Sequence, residues 1–148
     1  MATLPEAIEL QIVTPERHVL QETVQSVEIP GKEGYLGVLP GHAPLLTELG
    51  VGILAYRKGA DNRFLTVMGG YAEVLPDRVI VLAEISEKAE EIDLGRSKAA
   101  HDRAQAELAK HGIAAEDYER EKLALERALI RMQAAGRTDA GAADGGAH

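Results

Sequence analysis

Apolar and polar residues alternate through the first half of the chain. Ile8, Leu10 and Ile12 alternate with Glu9 and Gln11, which predicts a strand with one buried face. Further apolar runs follow at intervals of about ten residues, in the order VQSVEIP, GVGILAYR, RFLTVMGG, YAEVLP and RVIVLAEI. The segments KGADN, GG and PD between them have the composition of tight connections. This spacing predicts an all-β sandwich or flattened barrel, with no helix before residue 86.

The pattern changes to that of a helix at Ser86. The segment EIDLGRSKAAHDRAQAELAKHG is rich in helix-forming residues, and Gly112 is placed to end the helix. Leu94, Leu108 and several alanines are its apolar residues, so they form only a narrow apolar surface. We expect a helix that buries little on its own.

A second helix is predicted from the segment AAEDYEREKLALERALIRMQAAG. Tyr118, Leu125, Leu129 and Met132 form one apolar stripe, and Gly136 is placed to end the helix. The connection HGIAA between the two helices is short, which favours an antiparallel helical hairpin.

These patterns divide the chain into three parts: a β-sandwich over residues 1–86, a helical hairpin over 87–136 and a flexible tail over 137–148, which has almost no bulky apolar residue. An isolated helical hairpin of this length is only marginally stable in water. We therefore expect it to dock on another surface or come loose, and such an equilibrium can be shifted by a ligand.

Composition and charge exclude several classes of function. The chain has no cysteine, which rules out disulfides, thiolate catalysis and zinc-thiolate sites. Its formal net charge of -8 argues against general nucleic-acid binding. Neither a targeting pattern nor an apolar run of membrane-spanning length is present, so a cytosol-like compartment is expected, with membrane association only through another protein.

His42 is the first residue considered for catalysis, within GYLGVLPGHAPLLTEL. The other histidines show no metal-ligand spacing, and no serine lies in a nucleophile-elbow sequence, so we expect neither a catalytic nor a metal site. Pro40 and Pro44 restrict the backbone on both sides of His42, which indicates a stiff loop that holds a shape. The nearby PGKEGYLG lacks the order of a phosphate-binding loop and the helix that should follow it.

Charged residues on the predicted helices offer more specific signals. Asp93, Arg96 and Arg103 fall on one face of the first helix, and Arg127 and Arg131 share a stripe of the second with Arg120. One interpretation is a solvated surface with weak ion pairs. The other is that these arginines bind an acidic partner or the phosphates of a nucleotide, because the guanidinium group suits both.

The chain resembles the epsilon subunits of bacterial F-type ATP synthases over residues 4 to 135. The most specific match is GxLxVLPGHAPLLT over residues 34–47, and GGYAEV at 69–74 and VLAE at 81–84 agree with it. The resemblance implies a β-sandwich followed by two helices, the same architecture that the periodicity predicts. It also implies a non-catalytic rotor subunit of the central stalk, which couples proton-driven rotation to ATP synthesis at other chains.

The resemblance implies particular partner surfaces. The sandwich is expected to bind the gamma subunit and to rest on the c-subunit ring through the loop from Gly31 to Pro44, so a rigid loop has a mechanical purpose. The c-ring and gamma interface residues are then Gly31, Glu33, Tyr35, Pro40, His42 and Pro44. The helices of this family can also extend into the catalytic head and restrain ATP hydrolysis. Candidate contacts to the beta subunit in that state are Arg120, Lys122, Arg127 and Arg131.

Some members of this family bind ATP through an I/LDxxRA motif and arginines on both helices. The sequence IDLGRS keeps Ile92, Asp93 and Arg96 but has Ser97 in place of alanine, and Gly95 weakens the first helical turn by roughly 1 kcal/mol relative to alanine. By this resemblance the nucleotide site would consist of Glu87, Ile92, Asp93, Arg96, Arg103, Arg127 and Arg131. ATP would be a regulatory ligand, and no cofactor or metal is required.

Two other functions stay open at the level of sequence. The helix arginines could belong to a free-standing ATP-sensing module without a motor, or His42 could serve an enzyme. The resemblance places the chain at the cytoplasmic face of the bacterial inner membrane as a peripheral subunit, although a chloroplast-encoded chain would equally lack a targeting segment.

Overall fold

The computed structural model describes residues 4–143, with side chains up to residue 137. Eight strands come first and confirm the predicted sandwich, without any helix before residue 86 in the described part of the chain. The strands are β1 (Ile8–Val13), β2 (His18–Val24), β3 (Ser26–Gly31), β4 (Gly34–Val38), β5 (Leu45–Glu48), β6 (Val51–Lys58), β7 (Asp61–Val74) and β8 (Arg78–Lys88).

A single hydrogen-bonded network connects all eight strands. The order is β2-β1-β8-β7-β6-β3-β4, and β5 also pairs with β7. The first strand lies parallel to the last one, β8, and the other pairings are antiparallel. Ile8, Leu10 and Ile12 are fully buried, as their alternation predicted, and they lie in one large core with residues from the other strands.

The pair Gly69–Gly70 was predicted to be a tight connection between two strands, and this prediction is wrong. Strand β7 runs through both glycines, pairing with β6 before them and with β5 after them. Both have positive φ angles, 77° and 107°, and a Cβ on Gly70 would lie 2.0 Å from the carbonyl oxygen of Leu82. The pair therefore bends one long strand, which lets the sheet fold over its own core.

The region predicted as one stiff loop from Gly31 to Pro44 is mostly strand. Strands β3 and β4 form a hairpin with its turn at Lys32 and Glu33, and only residues 39–44 lack regular structure. Alternating glycines in GYLGV hid the strand pattern, because they carry no side chain to mark a buried face.

The helical part begins with a 3-10 turn, Ala89–Glu91, which we call the linker turn. Helices α1 (Leu94–Leu108) and α2 (Ala115–Ala143) follow it and form the predicted hairpin. Gly112 does not itself end α1, contrary to prediction, because the helix ends at Leu108 with Ala109 as its cap. Gly112 lies further on in the connection, where it has a φ of 74°.

Gly136 does not end the second helix, contrary to prediction. Helix α2 continues through it to Ala143, and Gly136 is absent from the glycines with positive φ. The alanines on both sides favour helix enough to offset the cost of about 1 kcal/mol for one internal glycine. Of the predicted tail, residues 137–143 are thus helical, and residues 144–148 lie outside the described part of the chain.

Helix α2 lies across β6, β7 and the linker turn, whereas α1 packs mainly against α2. The docking contact is a small apolar cluster of Ile53, Phe64, Ala89, Ile92, Ile130 and Ala134. The predicted stripe on α2 is partly wrong, since Tyr118 and Leu129 are 43% and 42% exposed. Ala128 and Ala134 are buried instead, because small side chains let the helix approach its neighbours closely.

Candidate functional site

The clearest polar contact between hairpin and sandwich joins Glu87 to Arg131. Arg131 Nε donates to Glu87 Oε1 over 2.7 Å, and both side chains are about two-thirds buried, with 29% and 32% exposure. Glu87 is held at the end of β8 because its backbone N–H donates to Thr66 Oγ1 over 3.0 Å. Thr66 is itself fully buried, so the backbone of Glu87 is held in a fixed position.

Arg127 lies one helical turn before Arg131 on the same face of α2. Its Nε is buried and has no hydrogen-bond partner among the described residues. Since a buried unpaired donor is costly, this atom invites a water or an anionic ligand. Together, Glu87, Arg127 and Arg131 make a charged site at the base of the hairpin.

The residues of the IDLGRS motif serve the start of α1. Asp93 caps the helix, with Oδ1 accepting from the backbone N–H of Arg96 over 3.0 Å, and Ser97 Oγ donates to the Asp93 carbonyl over 2.9 Å. Ile92 packs in the docking cluster, and the side chains of Arg96 and Arg103 are exposed. The motif therefore has a complete structural role without a ligand.

The antiparallel hairpin brings the two helices' arginines to similar heights. Arg96 precedes the end of α1, Leu108, by as many residues as Arg127 follows the start of α2, Ala115. Because both helices rise equally per residue, Arg96 and Arg127 lie at about the same level. In the described structure, no hydrogen bond or ion pair joins the side chain of Arg96 or Arg103 to Glu87 or Arg131.

Four basic residues of α2 were expected to form one inhibitory surface. Arg120 and Lys122 are exposed, and Arg120 Nη2 makes an ion pair with Asp117 over 2.9 Å. Arg127 and Arg131, in contrast, are half-buried at the base of the hairpin. In this docked arrangement the four cations do not share one accessible face.

His42 is held by its own loop. Its Nδ1 donates to the carbonyl of Ala43 over 2.7 Å, since that oxygen can only accept, and its backbone N–H donates to the Leu39 carbonyl over 3.2 Å. No group of three or more potential metal ligands occurs among residues 4–143. Both hydrogen bonds hold His42 within its own loop.

The other residues of the expected partner surface lie around this loop and the β3–β4 hairpin. Tyr35 is 58% exposed, but its hydroxyl accepts from the backbone N–H of Ile53 over 3.1 Å. Glu33 and Pro44 are exposed, while Gly31 and Pro40 are half-buried. Half of the six expected residues are therefore exposed, and the other half are partly buried against the sandwich.

An exposed apolar surface was missed in the sequence. Tyr71 and Leu82 are cross-strand partners on β7 and β8, each 55% exposed, and Leu46 on neighbouring β5 is 69% exposed. The segment RVIVLAEI contained the signal, because Ile80 and Leu82 put apolar side chains on its outward face as well as inward. We call Leu46, Tyr71 and Leu82 the apolar patch.

In the part of the chain that the structure describes, no helix has the length and apolar character needed to cross a membrane.

Known proteins similar to this chain agree with the architecture. The beta-sandwich domain of the ATP synthase delta/epsilon chain matches residues 7–89, and the long alpha-helix domain of the same chain matches residues 90–136. The ATP synthase epsilon chain of Syntrophobacter fumaroxidans is 50% identical over 135 residues, 91% of this chain and 100% of the relative. ATP synthase epsilon chain 2 of Syntrophotalea carbinolica is 48% identical over 134 residues, 90% and 97% of the two chains.

A solved structure also matches. A chain in the cryo-EM structure of the Euglena gracilis mitochondrial ATP synthase, comprising OSCP, F1 and the c-ring, superposes with a TM-score of 0.79 and 26% identity, covering 90% of this chain and 84% of that one. Both family domains match in order and together span most of the chain. The chain therefore belongs to the ATP synthase delta/epsilon chain family, as an epsilon-type, non-catalytic stalk subunit of an F-type ATP synthase.

Proposed function

We propose that the sandwich is a rigid adaptor that binds the gamma subunit and the c-subunit ring, so that proton-driven rotation of the ring reaches the catalytic subunits. The apolar patch is the observation that carries this proposal, because a folded chain gains nothing by exposing Leu46, Tyr71 and Leu82 on one face of the sheet. A partner that covers these side chains stabilises the assembly by removing them from water.

Two contacts between distant parts of the sheet support the rigidity of the adaptor. Strand β1 joins β8 along five residue pairs, from Glu9–Arg78 to Val13–Leu82, which ties the beginning of the fold to its end. An ion pair between Lys58 and Glu22 also joins β6 to β2. A densely packed sandwich deforms little under load, as torque transmission requires.

The two partners would use different surfaces of the sandwich. We assign the gamma subunit to the apolar patch on β5, β7 and β8, and the c ring to the expected surface with Glu33, Tyr35 and His42. The loop of residues 39–44 is fixed by His42 and by the backbone N–H of Gly41, which donates to the Pro76 carbonyl over 2.8 Å. Such a loop can offer a constant shape to a ring. The subunit would then sit at the cytoplasmic face of a bacterial inner membrane, peripherally.

We assign a regulatory role to the helical hairpin. In the docked state Arg131 is paired with Glu87 and Arg127 is half-buried, so neither is available to the alpha and beta catalytic subunits. Release would expose both beside Arg120 and Lys122, which completes the cationic surface expected to bind the beta subunit and restrain ATP hydrolysis. Docking and inhibition are thus alternatives.

ATP would favour the docked state as a regulatory ligand. Its phosphates could satisfy the buried Nε of Arg127, with Arg96 approaching from α1 at the same level. The other charged residues of the candidate nucleotide site are Glu87, Arg103 and Arg131. A ligand that binds only one of two states stabilises that state more as its free concentration rises above its Kd, so ATP would lower inhibition when it is plentiful.

Two variants of the subunit, one truncated and one substituted, test the proposal in the assembled complex. A chain ending at Glu91 keeps all eight strands and the linker turn. We expect it to bind gamma and the ring normally and to raise the ATPase rate of the complex. Replacing Arg120 and Lys122 with glutamine, with the hairpin left in place, should raise the rate less. An unchanged rate in the truncated complex would overturn the regulatory role, and loss of assembly would overturn the adaptor role.

A further inference from the structure

The hinge of the helical hairpin can be located from the contacts of the linker turn. We infer that Ala89–Glu91 is a fixed part of the sandwich, held by a clasp of Arg17 with Glu91 and Arg63 with Glu90, and that the hairpin pivots at Ile92 and Asp93. This inference rests on the proposed release of the hairpin from the sandwich. The experiment that tests the inference does not measure ATP hydrolysis, so the two can fail separately.

The clasp consists of two ion pairs between the sandwich and the linker turn. Arg17 approaches Glu91 with both terminal nitrogens, Nη2 to Oε2 over 2.7 Å and Nη1 to Oε1 over 3.5 Å. Arg63 Nη1 lies 3.8 Å from Glu90 Oε1. Both arginines belong to the sandwich, one in the β1–β2 connection and one on β7, so the two contacts hold neighbouring residues of the linker turn from different sides.

Arg17 is itself positioned before it meets Glu91. Thr14 Oγ1 accepts from the backbone N–H groups of Glu16 and Arg17 over 3.3 and 3.2 Å, and the N–H of Thr14 donates to the Arg17 carbonyl over 2.9 Å. A turn closed in this way lowers the entropy that the arginine loses on pairing. The bidentate geometry then fixes the direction of the linker turn as well as its position.

The strand before the linker turn is also anchored. Ser86 Oγ donates to the Thr66 carbonyl over 2.7 Å, and Leu65 pairs with Lys88 at the end of β8. Residues 86–88 therefore pair with the sandwich through their backbone, and residues 89–91 contact it through their side chains. A hinge in this stretch would have to break several of them together.

The contacts change at Ile92. Ile92 is extended, and its side chain packs with Ile130 and Ala134 of α2 as well as with the sandwich. Asp93 directs its side chain to the N–H of Arg96 and so belongs to α1. Between the clasp and this cap, no described side-chain hydrogen bond or ion pair joins Ile92 or Asp93 to the sandwich. A rotation at these two residues therefore breaks no polar side-chain contact of their own to the sandwich, and the Glu87–Arg131 ion pair is the polar contact that release of the hairpin must break.

Amide hydrogen exchange of the full chain, measured by NMR, tests the hinge at one reporter. The N–H of Ile92 donates to the Ala89 carbonyl over 3.2 Å and closes the linker turn. Glu91→Gln and Arg17→Gln should each accelerate its exchange about fivefold, the effect of losing one partly exposed ion pair. The double variant should add little, and the exchanged pair Arg17→Glu with Glu91→Arg should restore slow exchange.

A second variant separates the linker turn from the hairpin. Arg131→Glu places two carboxylates together and so undocks α2, which the methyl signals of Ile130 report. We expect the Ile92 amide to keep its slow exchange in this variant, and Asp77→Asn, which removes an ion pair distant from the linker, should also leave it unchanged. Acceleration in Arg131→Glu that equals that in Glu91→Gln would overturn the inference, as would an unchanged rate in Glu91→Gln.

Discussion

The sandwich and the helical hairpin are stabilised in different ways. The sandwich buries long aliphatic side chains from seven of its eight strands in one continuous core. The hairpin meets it through a small cluster in which the fully buried members are Ile53, Ala89 and Ala134, supported by the Glu87–Arg131 ion pair. Within α1, only Ser97 and Ala104 are buried. The sandwich is thus stabilised by one large core of residues from most of its strands, whereas the hairpin depends on a small contact that mixes alanines with a few larger apolar side chains and one ion pair.

The largest effect is expected at the bend of β7. Gly70→Val should destabilise the sandwich by roughly 3 to 5 kcal/mol, because it combines a strained positive φ with overpacking against Leu82. Urea unfolding followed by circular dichroism measures this change. The control is Gly37→Ala, where a Cβ meets nothing within 4 Å and φ is not positive. Equal losses in the two variants would mean that the bend is not a constraint.

The next effect separates the hairpin from the sandwich. Arg131→Gln or Glu87→Gln should weaken docking by about 1 to 2 kcal/mol, since the remaining charge keeps its half-buried site without a partner. Limited trypsin digestion should then cut within α1 about tenfold faster, while the urea midpoint of the sandwich stays the same. Arg120→Gln is the control, because its ion pair with Asp117 is exposed. Equal acceleration in that control would refute a special role for Arg131.

Two glycine substitutions sharpen the comparison within the hairpin. Gly136→Ala should stabilise the hairpin by about 0.5 to 1 kcal/mol, because Gly136 is exposed, internal to α2 and free of nearby atoms. Gly112→Ala should destabilise it by about 1 kcal/mol because of the φ of 74° in the connection. Helical circular dichroism on heating measures both. The same sign for both would contradict the conformations assigned to these glycines.

The smallest effect is a dependence on pH at the linker. The hydrogen bond from Arg17 lowers the pKa of Glu91 below its usual range, with Lys88 acting in the same direction and burial opposing both. A lowered carboxyl pKa contributes stability above the unfolded value, near 4.5, which is lost as pH falls through the folded value. For a partly exposed pair, less than about 1 kcal/mol is expected.

Exchange of the Ile92 amide, measured from pH 6 down to 3 and corrected for intrinsic rates, would show this loss. The negative charges of Glu16 and Glu87 also act on Arg17. Glu91→Gln should therefore remove most, but not all, of the dependence. A curve with the same slope in that variant would assign the effect to the other carboxylates.

The architecture was predictable from the sequence because periodicity reports burial directly. Alternation located β1 and the main strands, and the short HGIAA connection predicted the hairpin. Periodicity failed where glycine was involved: Gly69–Gly70 bends a strand, and Gly136 lies inside a helix. A glycine can adopt several backbone conformations, and the neighbouring strands or helices determine which one it has in the folded protein.

The candidate site was less predictable. Arg127 and Arg131 were identified by their helical spacing, and the partner of Arg131, Glu87, entered through resemblance. The clasp was missed, because nothing local relates Arg17 to Glu91, which is 74 residues away. Pairs at such separation depend on tertiary folding. A helix cap such as Asp93 with Arg96 joins residues only three positions apart and can be recognised in the sequence.

The parallel pairing of β1 with β8 determines when the sheet can be completed during synthesis of the chain. The first strand cannot obtain this neighbour until residues 78–82 have left the ribosome, so the nascent sheet keeps an open edge while most of the chain is being made. The helices emerge only afterwards, onto a surface already complete. A stalled ribosome carrying the chain short of β8 would thus present a protease-sensitive polypeptide, and a few further codons would convert it into a resistant one.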